Sequence, residues 1–183
     1  MLIRIVSRCL CLGLLAIGLS GCAAKVTVTS NRVPDYHGEI RRLLVIAQVG
    51  GELGYGEYNA ERPAFRDAIV NSLSKCGITA NVQFQSQISL PAETAQAVRA
   101  FAPDTALTIE TKSTSIGGGS SAAVYIGTVI DMPRRKPVWK AEIQYIGGKS
   151  GDEILAASII DRLKSDAILN ALCPTPAVPK SGV

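Results

Sequence analysis

The chain has 183 residues, a formal charge of +4, 47 % hydrophobic and 5 % aromatic side chains, which suits one domain with its own core better than two. Its basic residues form no arginine-rich stripe interleaved with aromatics, so nucleic acid is not an expected partner. A single histidine and the lack of any HExxH, CxxC or GxSxG sequence leave no metal ligand set, no cofactor and no catalytic residue to assign, and a non-enzymatic protein is expected.

The first 22 residues govern the rest. Arg4 and Arg8 flank an apolar run that is short for a bilayer span and closes on Leu19, Ser20, Gly21 and Cys22, the pattern of an export signal. Those four residues resemble the lipobox of bacterial lipoproteins. The resemblance implies cleavage before Cys22, a diacylglyceryl group on its sulfur and usually an acylated new amine. Because each buried methylene contributes about 0.8 kcal/mol, two or three acyl chains hold firmly where one does not. Ala23 stands where an aspartate commonly favours inner-membrane retention, so the resemblance implies the outer membrane, at its periplasmic face. Loss of Arg4 and Arg8 with residues 1–21 takes the 19 basic side chains to 17 against 15 acidic ones.

Cys9 and Cys11 leave with the signal and Cys22 carries lipid, so two cysteines, Cys76 and Cys173, remain for an oxidising compartment. Each lies near the end of a predicted helix, and a Cys76–Cys173 disulfide is expected. Two buried, unpaired thiols are the alternative.

Residues 22–42 are polar and punctuated by Ser30, Asn31, Pro34, Asp35 and Gly38, and read as the lipidated N-terminus and a tether, although Val26 to Thr29 could form a short strand. His37 lies in this stretch without catalytic partners. The folded domain is expected over 43–173. It opens with Leu43 to Val49, a compact apolar run that reads as a central strand covered on both faces. Gly50 to Tyr58 follows, with glycines in neither the GxGxxG nor the GxxxxGK spacing. Tyr55 and Tyr58 make it a candidate recognition loop, because tyrosine supplies amphipathic contact area. Glu52, Glu57 and Glu61 read as its solvating residues.

A helix is expected from about 62 to 76, with Pro63 in its first turn, Phe65, Ile69, Leu73 and Cys76 on one face and Gly77 as a left-handed stop. A strand at 79–85 alternates on Ala80, Val82 and Phe84 and reads as an edge. A second helix runs from Ser89 and Pro91 to Phe101, with Ala95, Val98 and Phe101 inward, and a strand follows at 106–111. Residues 111–121 carry no sustained apolar pattern and read as a loop or an extended hairpin connection. The clearest signal is a hairpin of 122–131 and 137–146, alternating on Val124, Ile126, Thr128 and Ile130 and then on Trp139, Ala141, Ile143 and Tyr145. Trp139 reads as packing against a helix or as an exposed partner anchor. Arg134, Arg135 and Lys136 form the compact basic cluster, a solvated hairpin tip or a contact for anionic lipid or an acidic partner. A long helix is expected from 152 to 172 and a flexible tail at 174–183. Asp104, Glu110, Asp131 and Glu142 lie dispersed on different elements.

The order is thus β-α-β-α-β-β-β-α, an α/β domain with a single mixed sheet, packed helices, a late hairpin and a long C-terminal helix. On Leu43 to Val49, Phe65 to Cys76 and the segment from Ile130-Asp131 through Val138-Trp139-Lys140-Ala141, it resembles the small periplasmic domains of the TolB N-terminal region and of lipoproteins that activate penicillin-binding proteins. Such domains commonly dock within envelope assemblies. The function expected is a lipid-anchored periplasmic adaptor or accessory subunit that docks to another cell-envelope protein, with Tyr55, Tyr58 and Trp139 as contact residues. The alternative is a carrier for a small envelope ligand such as a lipid or glycan fragment.

Overall fold

The computed structural model describes residues 24–48, 62–85, 90–117, 120–147, 150–169 and 173. The leader, the lipidation position Cys22 and the C-terminal tail lie outside them. The strands are β1 (Lys25–Arg32), β2 (Arg42–Gln48), β3 (Thr79–Phe84), β4 (Thr105–Gly117), β5 (Ser120–Asp131) and β6 (Lys136–Ile146). The helices are α1 (Pro63–Ser74), α2 (Pro91–Phe101) and α3 (Gly151–Ser165). All six strands form one mixed sheet in the order β1-β6-β5-β4-β2-β3, with β2 parallel to both β3 and β4 and the remaining pairs antiparallel.

The run on β2 behaves as its composition requires. Leu43, Val45 and Ala47 enter the main core with Phe65, Ile69 and Leu73 of α1 and Leu155, Ile159 and Leu163 of α3. Successive strand residues point to opposite faces, so Leu44 and Ile46 are buried on the other side with Ala106 of β4 and Ala97 of α2. Both faces of β2 are covered, whereas α2 buries only Ala97. The expected inward positions Ala95 and Val98 stay exposed and half-buried, because α2 covers only the end of the sheet near β2.

The tether expectation is corrected for residues 25–32. They form β1, paired residue for residue with β6 from Lys25 opposite Ile146 to Arg32 opposite Trp139. Val26 and Val28 pack against the core while Lys25, Thr27, Thr29 and Asn31 face water, and this alternation supplies enough burial to hold an edge strand. The next segment is not a tether either, since Tyr36 and Ile40 are 6 % and 1 % exposed.

For the described residues of 111–121 the extended hairpin reading holds and the loop reading does not. β4 continues to Gly117 and pairs with β5 to Ser120, with a register shift between Thr111 and Ser113. The exposed Lys112 to Ser115 have no apolar periodicity because none of the described helices covers them.

Helix ends follow backbone chemistry. At α1 the Gly77 N–H donates to Ser74 O and the Ile78 N–H to Leu73 O with Gly77 at φ +71°, the left-handed stop expected from the sequence. At α3 the Ala167 N–H donates to Lys164 O and the Ile168 N–H to Leu163 O, with Ala167 at φ +53°. This closure ends the helix at Ser165 instead of the expected 172, and the buried Ile168 and Leu163 provide the apolar contact that stabilises it without glycine.

Cys76 and Cys173 form a disulfide across a sequence separation of 97, tying the end of α1 to the segment after α3. A second tie is polar. Asp166 Oδ2 accepts from Ser30 Oγ of β1 at 2.5 Å, Trp139 Nε1 of β6 at 2.7 Å and Arg162 Nε of α3 at 3.1 Å. Burial alone would raise the Asp166 carboxyl, but the bonds from Ser30 and Trp139 and the Arg162 charge outweigh it and hold it below its ordinary value.

Two outcomes follow from these ties. Replacing Cys76 and Cys173 by serine lowers unfolding free energy by about 4–5 kcal/mol in the chain-entropy account, read from urea denaturation of oxidised and variant protein; an unchanged midpoint removes the disulfide's role. Asp166 has a folded pKa below the unfolded value of about 3.9, so its contribution is present at neutral pH and lost as pH falls through the folded value. Asp166→Ala leaves the Trp139 N–H unsatisfied, costs about 1–3 kcal/mol and removes part of that acid sensitivity, which the emission of the single tryptophan reports.

Candidate functional site

The residues between β1 and β2 cross the end of the sheet at which β4 begins and β5 ends. The Val33 N–H donates to Val138 O at 2.9 Å and the Tyr36 N–H to Val33 O at 3.2 Å, a turn that tucks the Tyr36 ring inward. Here Tyr36, His37, Asp104, Thr105, Asp131 and Arg134 help line a half-open cavity of about 620 Å³.

Asp104 Oδ2 accepts the N–H groups of Arg41 and Arg42, each at 2.9 Å. The Asp104 N–H donates to Arg42 O at 3.2 Å and its carbonyl accepts the Met132 N–H at 3.0 Å. One residue therefore joins the starts of β2 and β4 to the end of β5, and its Oδ1 is buried without a partner among the described residues. Asp131 is 5 % exposed; its Oδ1 accepts the Arg134 N–H at 2.9 Å and its Oδ2 accepts from Arg134 Nη1 at 2.7 Å. The Arg134 side chain is 69 % exposed, so this ion pair contributes about 0–1 kcal/mol, while the main-chain bond shapes the β5–β6 turn.

Burial and then the field of Asp131 push the Tyr36 phenol up, with Asp104 adding to them; a hydrogen bond with Thr105 and the charge of Arg134 oppose the shift without cancelling it. The cavity thus presents a neutral phenol, two carboxylates and an exposed guanidinium, a set that recognises by hydrogen bonds. Among the described residues no group of three or more His, Cys, Asp or Glu is placed to hold a metal. None of their helices is long and apolar enough to cross a membrane.

The sequence expectations divide. Tyr55 and Tyr58, with Glu52, Glu57 and Glu61, lie outside the described residues. Trp139 is corrected as a partner anchor: it is 2 % exposed, and its N–H is occupied by Asp166. Of the dispersed carboxylates, Asp104 and Asp131 meet at the cavity, while Glu142 pairs with Lys112 at 2.8 Å on the open sheet face. His37 lines the cavity with Tyr36. The sequence offered Asp104 and Asp131 only as dispersed carboxylates and Arg134 as part of a hairpin tip; no local pattern shows that these segments and residues 33–39 converge.

At the opposite end of the sheet, Arg62 Nε donates to Asp152 Oδ2 at 3.1 Å and joins the starts of α1 and α3. Burial works against the Arg62 charge, but the hydrogen bond and charge of Asp152 outweigh it, so Arg62 is held protonated above its ordinary value.

No protein-family model matches the sequence, and no curated protein matches it. Among solved structures it is similar to the PelC dodecamer from Paraburkholderia phytofirmans, at 19 % identity over 77 % of this chain and 96 % of that one, with a TM-score of 0.45. Lipoprotein GNA1162 from Neisseria meningitidis is similar at 12 % identity over 68 % of this chain and 99 % of that one, TM-score 0.35. The hypothetical protein CT253 from Chlamydia trachomatis is similar at 11 % identity over 73 % and 98 %, TM-score 0.38. Likeness at this level transfers nothing to this chain.

Gly38 closes the cavity wall. A Cβ there would fall 2.0 Å from Tyr36 Oη, so Gly38→Ala displaces the ring and costs about 1–3 kcal/mol in chemical denaturation. A smaller loss than for alanine at the exposed Glu39 would remove the proposed fit of Tyr36 against the loop.

Proposed function

We propose that this protein is a lipid-anchored accessory subunit of the cell envelope, held by Cys22 at the periplasmic face of the outer membrane and docking another envelope protein through its folded domain. The observation that carries the proposal is Leu19-Ser20-Gly21-Cys22, placed after an apolar leader and just before β1. The Cys76–Cys173 disulfide is in keeping with an oxidising compartment. Anchoring confines the domain near a surface and raises its encounter rate with membrane-associated partners. Tyr55 and Tyr58 remain the proposed contact residues from the sequence, and the cavity beside Asp131 and Arg134 adds a second candidate surface.

The carrier reading is favoured by one observation, the cavity of about 620 Å³, which falls within the usual range of about 300–1,000 Å³ for small-molecule sites. Its carboxylates direct that reading toward a small polar ligand such as a glycan fragment and away from an acyl chain.

In-cell crosslinking of the full-length protein, followed by mass spectrometry, is expected to recover a discrete envelope protein. Recovery should fall in Cys22→Ala and in the Tyr55→Ala/Tyr58→Ala double variant, with folding checked by circular dichroism. Undiminished recovery from the double variant would reject those two contacts. Enrichment of a small molecule without a protein partner would put the carrier reading first.

A further inference from the structure

β1 enters the sheet at Lys25, opposite Ile146 at the end of β6. Ile146 faces Ala122 near the start of β5, and Ala122 faces Ser115 near the end of β4. These four residues mark one end of the sheet. β2 and β3 stop short of this end: Phe84, the last residue of β3, is level with Ala47 of β2, which is level with Ile109 of β4, Gly127 of β5 and Ala141 of β6, halfway along the sheet. The other end carries Arg32, Tyr36, Asp104, the β5–β6 turn and the cavity. Along the 11 residues of β6 the two ends stand about 33 Å apart, at ~3.3 Å per residue.

Only Ala23 and Ala24 separate Lys25 from Cys22. Three Cα steps reach at most about 11 Å, so an anchor at Cys22 brings the Lys25 end to the lipid headgroups. A second observation falls at the same end. The exposed large hydrophobic residues among those described are Val33, Leu90 and Ile146. Of these, Ile146, 46 % exposed, lies at the anchor end, opposite Lys25. The open face on which Ile146 stands becomes less suited to lipid further from this end, where it carries Gln144, Lys140 and the Lys112–Glu142 pair.

We infer that the end of the sheet marked by Lys25 and Ile146 rests on the bilayer that holds the Cys22 lipid, with the cavity turned away from it. The inference rests on the lipid-anchored reading and deepens it by naming the surface that meets the membrane. Ile146 seats at the boundary of headgroups and acyl chains, and the Lys25 ammonium lies beside the phosphates. Arg134, Arg135 and Lys136 then face away from this membrane, which excludes them as contacts to its lipids.

The test uses the full-length lipidated protein in phosphatidylethanolamine/phosphatidylglycerol vesicles doped with a lipid bearing a nitroxide on its headgroup. A bimane fluorophore is placed on Ile146→Cys in one preparation and Lys136→Cys in another, without reduction, so that the native disulfide stays closed. The label at 146 is expected to lose about half or more of its emission, because an interfacial residue lies within about 5–10 Å of the headgroup boundary; the label at 136 keeps its emission. Equal quenching at both positions, or quenching at 136 alone, overturns the orientation. Shielding of the 146 label from an aqueous quencher without quenching by the lipid shows a second copy or another protein on this end and also overturns it. Mass spectrometry of the same samples reads the modification of Cys22. An unlipidated Cys22 overturns the anchored reading itself, whereas lipidation with an unquenched 146 label overturns only the orientation.

Discussion

The carboxylate of Asp166 accepts hydrogen bonds from Ser30, Trp139 and Arg162, and through these three donors it joins β1 to β6 and to α3. β1 is an edge strand that gives the core only Val26 and Val28, both partly buried. The main-chain ladder fixes its register, but exposed edge pairing frays without side-chain support. Asp166 supplies that support from the turn that ends α3, and Arg162 strengthens it by donating also to Ser30 Oγ at 2.6 Å. A charged acceptor shared by several donors is worth more than an isolated neutral hydrogen bond. The position of the chain's N-terminal end therefore depends on a residue more than a hundred positions away.

The two sheet faces differ because only one is fully roofed. α1 and α3 lie together over the main core, bonded to each other through Arg62 and Asp152 and joined by the disulfide to the segment that follows α3. α2 covers the other face only near β2, where Leu44, Ile46, Ala97 and Ala106 are buried. Arg42 completes that corner, its guanidinium lying 4.9 Å from the Phe101 ring centroid. Across β5, β6 and β1 the same face is left to side chains of mixed polarity.

The sequence revealed the parts whose burial is continuous or strictly periodic. Leu43 to Ala47 announced a central strand, Phe65, Ile69 and Leu73 a packed helix, and Cys76 with Cys173 a disulfide, because each signal is local or a matter of counting. It obscured the parts that depend on distant partners. Val26 and Val28 are only half-covered, so the polar residues between them read as a tether. Thr111 to Ser115 form a strand whose hydrogen bonds, not its side chains, specify it. Ala167 adopts a left-handed conformation without glycine because Ile168 and Leu163 bury each other. The cavity was hidden for the same reason, since Tyr36, Asp104 and Asp131 come from three separate segments.

These corrections bear on how anchoring would work. A disordered tether of about 20 residues would allow a domain to sample many orientations over roughly 25 Å, scaling with the square root of its length. Here the residues counted as tether are strand and packed loop, and only the residues before Lys25 stand between Cys22 and the sheet. Confinement then restricts rotation as well as position. A surface held at a set height and direction loses less freedom when a partner docks, and less of the contact energy offsets ordering. The edge strand thus links the fold to the proposed role: what secures β1 to the sheet also sets the direction in which the rest of the domain is presented.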